Sequence, residues 1–512
     1  MLFVSPSANP SGILVGMAVR FAGWAPAVVA GALPALAFPA PSWWWLAWFG
    51  VVPLLLVVRA APTPWAAAVR AWCGAAGFVL TTQYWLATSI GPLLAVLAAG
   101  LGALWLPWGW FAHRLLSGPA AAGRTVSALV VLPSAWVAAE AARSWPSLGG
   151  PWASLGASQW NQPVTLASAA LGGVWLTSFL LIATNTAIAG VIVHRGVSGR
   201  LVALACAIAC AGLGPAWYLL GPAPAGGATV RVALVQPGDI ADGGARQAAS
   251  ERLTASLAGQ RPDLVVWGES SVNQDLTSHP EVLARLTDLS RQVGADLLVN
   301  VDAPAPSGGI HKSAVLIGEH GELGAYRKTR LVPFGEYVPL RPLFGWITRH
   351  SKAAAEDRQR GTGPVVLRID RFDIGPLISF ETIFSDLARR EAQLGADLLV
   401  YQSSSSTFQG TWAQPQLAGQ PAVHAVEAGR PAVHVGLSGD SSAFDVRGRR
   451  LVWRPSDYRG VTVVNVPLGS SITPYQRLGD WVPALAFAIL CCAAGFAIFR
   501  WRRLARGDRL RG

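Results

Sequence analysis

Charge is scarce in this 512-residue chain: Asp, Glu, Lys and Arg make up 13% of it against 52% hydrophobic residues, a balance that excludes an ordinary soluble protein. Lysine is scarcer still. Lys312, Lys328 and Lys352 are the three in the sequence, every other Lys/Arg position being arginine, so a motif that keeps lysine here has singled it out. Cysteine is confined to apolar runs, at Cys73, Cys206, Cys210, Cys491 and Cys492, which leaves any water-facing site without a thiol. Cys206 and Cys210 are one helical turn apart, but no His or further Cys accompanies them, and they read as small helix-packing residues rather than a metal pair. No P-loop, no GxGxxG after a strand and no His/Cys cluster is present, so no nucleotide, flavin or metal cofactor is expected. The net charge of +12 comes from arginines scattered through short loops and a final "RWRRLARGDRLRG". It lacks the stripe with interleaved aromatics of a nucleic-acid binder, and no nucleic-acid partner is expected.

What the chain has instead is long apolar runs. Eight of them, around 21–38, 43–58, 71–89, 91–112, 125–141, 165–193, 201–219 and 481–499, approach the length that a bilayer core demands of a helix. The small residues of "ALPALAFPA" resemble a signal-peptide cleavage site, but a second apolar run follows at once, and no cleavage is expected. Arginine falls in alternate loops: Arg20 before the first run, Arg59 and Arg70 after the second, Arg114 and Arg124 after the fourth, Arg195 and Arg200 after the sixth, and a cluster from Arg500 to Arg511 at the end. Because cations are retained on the cytoplasmic side, this alternation predicts eight spans, both termini inside, and an extracytoplasmic segment between the seventh and eighth. "WWWLAW" at Trp43 to Trp48 suits either an outer aromatic belt or core packing.

From the Pro/Gly-rich "GPAPAGGA" at Gly221 to Trp481 the composition changes to that of a soluble α/β domain. Short β-branched runs such as "VRVALVQ", "DLVVW" and "ADLLVN" alternate with amphipathic helices such as "EVLARLTDLSRQVG" and "SDLARREAQLG". Their Val, Leu and Ile on both faces predict strands buried between layers. "LIGEHGELGAYRK" reads as a hairpin turning at His320 and Gly321. The organisation expected is a bundle over 1–220, a layered α/β sandwich over 221–480, and a last span with a basic tail over 481–512.

Three stretches of the sandwich end strands on reactive residues. "DLVVWGES" ends on Glu269, "YRKTRLVPFGEYVP" carries Lys328 and Glu336, and "GPLISFETIFSD" carries Ser379 and Glu381. Singly, Glu269 reads as a cap, Lys328 as a surface lysine and Ser379 as a strand-end hydroxyl. Together, a carboxylate, an amine and a small nucleophile are what acyl transfer needs: a base, an oxyanion stabiliser and an attacking atom. "RLVPFGEYVP", with two prolines, a glycine and paired aromatics, looks shaped to hold side chains.

This constellation resembles the Glu–Lys–Cys site of the nitrilase, or carbon–nitrogen hydrolase, superfamily, and "YRKTRLVPFGEYVP" resembles the signature of bacterial apolipoprotein N-acyltransferases. "GALPALAFPAPSWWWLAWFGVVPLL", "QYWLATSI", "GGPWASLGASQ", "VALVQPGD" and "AVEAGRPAV" resemble further parts of that family, in order along almost the whole chain. The resemblance implies eight spans with an extracytoplasmic nitrilase-like domain in a bacterial cell membrane. It also implies transfer of an acyl chain from a phospholipid to the α-amino group of a diacylglyceryl-cysteine lipoprotein, through an acyl-enzyme. Glu269 is then the general base, Lys328 the oxyanion stabiliser, Glu336 and Glu381 supporting carboxylates, and Ser379 stands at the nucleophile position. The family has Cys there. "YQSSSSTFQGTWAQPQLAGQ" also departs from the family's Asn-Asp loop, with Gln416-Leu417 in place of Gln-His, and Phe380 replaces a frequent Tyr. An alcohol needs a stronger base than a thiol does. Two alternatives follow: a catalytically impaired homologue that binds lipid or lipoprotein as partner of an active copy, and a membrane-tethered amidase.

Overall fold

A computed structural model of the chain describes residues 23–118, 122–193, 196–304, 309–345 and 358–509; Arg20, Arg195, Lys352 and Arg511 lie outside them. Helices form in all of the expected apolar runs. The first seven are α1 (Trp24–Ala32), α2 (Val52–Arg59), α3 (Pro64–Thr82), α4 (Leu93–Leu116), α5 (Ala122–Arg143), α6 (Ala169–Val193) and α7 (Val197–Leu220). Among the described residues four of them, α4 to α7, are long and apolar enough to cross a membrane.

The boundaries of α3 and α6 differ from the expected ones. α3 begins at Pro64 rather than 71 because Thr63 caps it, its hydroxyl accepting the Ala66 N–H at 3.1 Å, and Pro64 supplies a first helical residue that needs no N–H donor. Arg70 is carried inside the helix, its guanidinium donating to Val57 O at 2.8 Å. α3 also ends at Thr82 rather than 89, and a short turn at Tyr84–Leu86 follows it. α6 begins at Ala169 and breaks at Gly172 and Gly173; Gly173 has φ +70°, and a Cβ there would lie 2.6 Å from the Tyr475 ring. Trp43 and Trp45 are about half exposed, which suits a belt better than a core.

The sandwich consists of two six-stranded sheets. β1 (Thr229–Gln236), β2 (Leu264–Trp267), β3 (Asp296–Pro304), β4 (Ile310–Gly318), β5 (Gly321–Arg327) and β12 (Gly460–Pro467) form one, in the order β12-β1-β2-β3-β4-β5. β6 (Leu367–Ile369), β7 (Phe372–Ile378), β8 (Leu398–Ser403), β9 (Ala432–Gly436), β10 (Ser441–Phe444) and β11 (Arg450–Arg454) form the other, in the order β11-β10-β9-β8-β7-β6. Each is parallel at its centre, β1–β2–β3 and β7–β8–β9. Helices α8 (Gly243–Ala255) and α9 (Pro280–Val293) cover the first sheet, α10 (Ser385–Leu394) and α11 (Ala413–Ala428) the second. Val282, Leu286 and Val293 of α9 pack on Val265, Trp267 and Leu297, so the strands are buried on both faces as their composition predicts. The β4–β5 turn lies at Glu319 and His320, one residue before the expected place, because Gly321 at φ +120° already pairs with Gly318. Across the sandwich, Gln402 Nε2 donates to Trp267 O at 2.8 Å and Leu298 O at 3.1 Å.

The last helix, α12 (Trp481–Arg509), returns to the bundle; Trp481 donates to Leu171 O at 3.0 Å and Trp175 to Asp480 at 2.9 Å. Glu427 at the end of α11 ties the two parts together. Its Oε1 accepts the Val174 N–H at 2.6 Å, at the start of the unbroken part of α6, and its Oε2 lies 2.9 Å from His424 Nδ1. All of this is fully buried, so an unpaired partner cannot turn to water. Glu427→Ala is therefore expected to cost about 3 kcal/mol or more, read as a lower thermal midpoint of the purified protein in micelles. A loss within about 0.5 kcal/mol, the range of an ordinary surface change, would show that the contact contributes nothing.

Candidate active site

Three serines of the sandwich adopt the left-handed backbone conformation that non-glycine residues rarely take, and each follows a strand end. They are Ser270 (φ +59°) after β2, Ser379 (φ +55°) after β7 and Ser405 (φ +56°) after β8. Such strain persists where surrounding contacts over-determine it, and here the contacts are visible. Glu269 N donates to Ser403 O at 3.1 Å and Ser270 N to Asn300 Oδ1 at 2.9 Å. Gly268 lets β2 press against the Leu437 backbone, where a Cβ would lie 2.4 Å from its nitrogen.

The expected residues converge. Glu269 is buried with the Ser379 side chain beside it, and Lys328 Nζ lies 3.8 Å from its Oε1. Lys328 is fully buried, not a surface lysine, and Glu269 caps no helix. Glu336 accepts from Lys328 Nζ at 2.9 Å, from Val332 N at 2.9 Å and from Arg358 at 3.3 Å, so the Pro/Gly loop does hold a side chain. Phe334 and Leu340, at φ +60° and +46°, bend that loop around it.

Glu381 does not face the reaction centre. Its Oε1 accepts from the Tyr326 hydroxyl (2.8 Å), Thr329 N (2.7 Å), Thr329 Oγ1 (2.8 Å) and Arg330 N (2.9 Å), and its Oε2 from Ile378 N (2.9 Å). It thereby couples the chain next to Lys328 to the chain next to Ser379. Arg330, two residues on from Lys328, forks onto Asp386, with one contact at 2.7 Å, and stacks over Phe384 at 4.3 Å. Phe380 is buried edge-to-face against Phe384 at 5.0 Å.

The serine-rich loop remains part of the site. Ser404 N donates to Glu269 Oε2 at 3.1 Å, so the carboxylate is held from both sheets. Farther along, Phe408 and Trp152 pack on Trp85 at 4.6 and 4.8 Å, and Trp412 on Tyr84 at 5.4 Å. Gln416 accepts from Trp152 at 2.7 Å and donates to Pro39 O and Thr82 O at 3.2 Å. It anchors the loop to the helical bundle. His434 bonds Ser403 Oγ at 2.8 Å and Asp440 O at 2.9 Å, and burial pushes its ring down to about 4; His424 bonds Glu427 and Thr382 O. Both are engaged in the core rather than at Ser379. Among the described residues no group of three or more His, Cys, Asp or Glu is placed to hold a metal ion.

The residue missing from the sequence reading is Lys312. Its Nζ lies 3.1 Å from Glu269 Oε1 and 3.0 Å from Asp302 Oδ1, nearer to Glu269 than Lys328 is. The rarity of lysine was the available signal, but nothing in the spacing shows that Lys312 lies across a hairpin from Lys328, where Lys328 N donates to Lys312 O at 2.9 Å. Burial pushes the Glu269 carboxyl up, but the ammonium groups of Lys312 and Lys328 and the neighbouring Ser379 hydroxyl outweigh it and hold the group at about 2.

The sequence matches two family models, the apolipoprotein N-acyltransferase N-terminal domain over residues 30–187 and carbon-nitrogen hydrolase over residues 231–473. Among curated proteins it is 29% identical to an apolipoprotein N-acyltransferase of Geobacter metallireducens over 502 residues, covering 93% of this chain and 95% of the relative. It is 30% identical to one of Azotobacter vinelandii over 506 residues, again with 93% and 95% covered. Among solved structures it is similar to a carbon-nitrogen hydrolase from Helicobacter pylori G27, at 15% identity and a TM-score of 0.38, covering 47% of this chain and 90% of that one.

The low value for Glu269 has a consequence for stability. A carboxylate held near 2 in the folded chain and near 4.3 in the unfolded one stabilises the fold above about pH 4.3, and that contribution is lost as pH falls toward 2. In full it amounts to about 3 kcal/mol. Unfolding in micelles is expected to show wild type losing more stability than Glu269→Gln between pH 6 and pH 3, and parallel curves would contradict the ion-pair account.

Proposed function

The chain belongs to the apolipoprotein N-acyltransferase family, and from that premise we propose that Ser379, Glu269 and Lys328 transfer an acyl chain from a membrane phospholipid to the α-amino group of a diacylglyceryl-cysteine lipoprotein. The single observation that carries the assignment is the convergence of three strand ends on one place, with the Ser379 side chain beside buried Glu269 and a fully buried Lys328 whose Nζ lies 3.8 Å from Glu269 Oε1. Glu269 takes the hydroxyl proton as Ser379 Oγ attacks the phospholipid ester carbonyl. Lys328 stabilises the resulting oxyanion. Collapse breaks the ester bond, Glu269 returns the proton to the departing glycerol oxygen, and an acyl-serine ester remains. The lipoprotein amine then attacks that ester, Glu269 takes its proton, and Ser379 Oγ leaves with it as the amide forms.

Glu336 keeps Lys328 in place by a direct ion pair, and Glu381 keeps Lys328 and Ser379 in register through the backbone beside each. A carboxylate held near 2 is a poor base for an alcohol. This favours slow turnover, the point at which the second reading, an impaired homologue, meets the first. The membrane placement we propose is eight spans, with residues 1–220 as bundle, 221–480 as extracytoplasmic sandwich and 481–512 as last span and cytoplasmic tail. The alternation of arginine among the loops supports it.

Two experiments test this reading. Acylation of a diacylated lipopeptide by the purified protein in phospholipid micelles is expected to be slow, to be abolished by Ser379→Ala, and to fall to a similar floor in Glu269→Gln and Lys328→Ala, since the three act as one unit. Ser379→Cys is expected to be faster than wild type by at least about tenfold, because a thiol is already partly ionised at neutral pH; acylation that persists in Ser379→Ala sinks the assignment. For topology, alkaline phosphatase fused after Ala228 should be active and fused after Arg511 inactive, and the reverse pattern would overturn the eight-span arrangement.

A further inference from the structure

We propose that Lys312 is a positioning residue of this site, clamping Glu269 as a fixed anionic acceptor at the cost of its strength as a base. The inference rests on Glu269 being the base, and the family's Glu–Lys–nucleophile pattern does not contain it. Lys312 is 6% exposed and spends its ammonium on three oxygens: Glu269 Oε1 at 3.1 Å, Asp302 Oδ1 at 3.0 Å, and Ser270 Oγ in close contact. Asp302 lies directly opposite it across the β3–β4 ladder, and Ser270 adjoins Glu269, so the ammonium is held from the neighbouring strand and from the turn that carries the base.

The groups around Glu269 come from every element packed against it. Lys312 faces it from β4, Lys328 from the end of β5, Ser379 from the end of β7 and Ser404 N from beyond β8. Behind Lys312 stand Asp302, Glu336 and Arg358. Three cations, Lys312, Lys328 and Arg358, thus meet three carboxylates, Glu269, Asp302 and Glu336. Lys312 gives the carboxylate its closest positive charge, at 3.1 Å against 3.8 Å for Lys328. Burial works against the charge of Lys312, but Glu269 and Asp302 outweigh it and hold the ammonium above the ordinary lysine range, so it stays a cation and does not itself act as a base. An opposite charge at this distance lowers a carboxyl pKa by about 1 to 3 units. Lys312 therefore fixes the direction in which Glu269 points and moves its titration away from the neutral range in which a general base works best.

The test places a thiol at the site with Ser379→Cys in the full-length protein in phospholipid micelles. Its alkylation rate by iodoacetamide is followed against pH from the mass of the peptide that carries it, which separates it from the cysteines of the apolar helices. Lys312→Met in that background is expected to move the alkylation midpoint up by about 1 to 3 units, since a cation beside the Glu269–thiol pair is lost, and Lys312→Arg is expected to return most of the shift. The acid limb of kcat/KM for lipopeptide acylation should move up in the same variant. Because Lys312→Met strands Asp302, the double variant Lys312→Met/Asp302→Asn is measured beside it and should show the same upward shift in a protein with no buried carboxylate left unpaired there. A midpoint unmoved in both overturns the role of Lys312. A midpoint that moves while no variant acylates the lipopeptide overturns the function proposed above and leaves the clamp standing, because alkylation needs no turnover.

Discussion

One carboxylate, Glu381, holds the candidate site together without taking part in it. It is fully buried, and its two oxygens receive five hydrogen bonds, four from the segment that follows β5 or ends it and one from the end of β7. These strands belong to different sheets, so the carboxylate spans the interface of the sandwich at the place where Lys328 and Ser379 emerge. A buried charge with five donors is stable where it stands and has nowhere else to go. The left-handed backbone at Ser379 depends on it, since Ile378 N is tied down one residue before the strained position.

A second constraint joins the sandwich to the apolar bundle. Glu427 caps the unbroken part of α6, Gln416 bonds to main-chain carbonyls at Pro39 and Thr82, and aromatic rings from Trp85, Trp152 and Phe408 interleave around it. Buried apolar residues of both parts form one continuous cluster, from Leu54 and Trp108 in the bundle to Val400 and Val433 in the sandwich. The serine-rich loop lies between these anchors. It is therefore held at both ends, and Ser404 N donates to Glu269 Oε2.

The charges at the site are arranged for fixity. In a chain that uses arginine almost everywhere, two of three lysines sit here, and a compact ammonium suits the role: the donors on the single Lys312 nitrogen meet Glu269, Asp302 and Ser270 within a small buried space, where the planar guanidinium needs a fork of acceptors. Arg358, less buried, meets Glu336 from the outer side.

Much of this was legible in the residues. The apolar runs gave the helices, the β-branched runs gave the strands, and reactive residues at strand ends gave Glu269, Lys328, Glu336, Ser379 and Glu381, because period, composition and turn chemistry are local properties. The start of α3 at Pro64 was written in Thr63 and Pro64 but was masked by Arg70, whose charge reads as a boundary until a carbonyl partner is seen. The break in α6 was hinted at by Gly172-Gly173, but its cause, the Tyr475 ring, lies some three hundred residues away in the chain. What tertiary structure alone decided is which oxygen each cation meets. That Glu381 bonds to the chain beside both Lys328 and Ser379, that Gln416 anchors a loop, and that Lys312 lies nearer than Lys328 to Glu269 follow from pairing two sheets face to face, and no spacing along the chain encodes a distance across that interface.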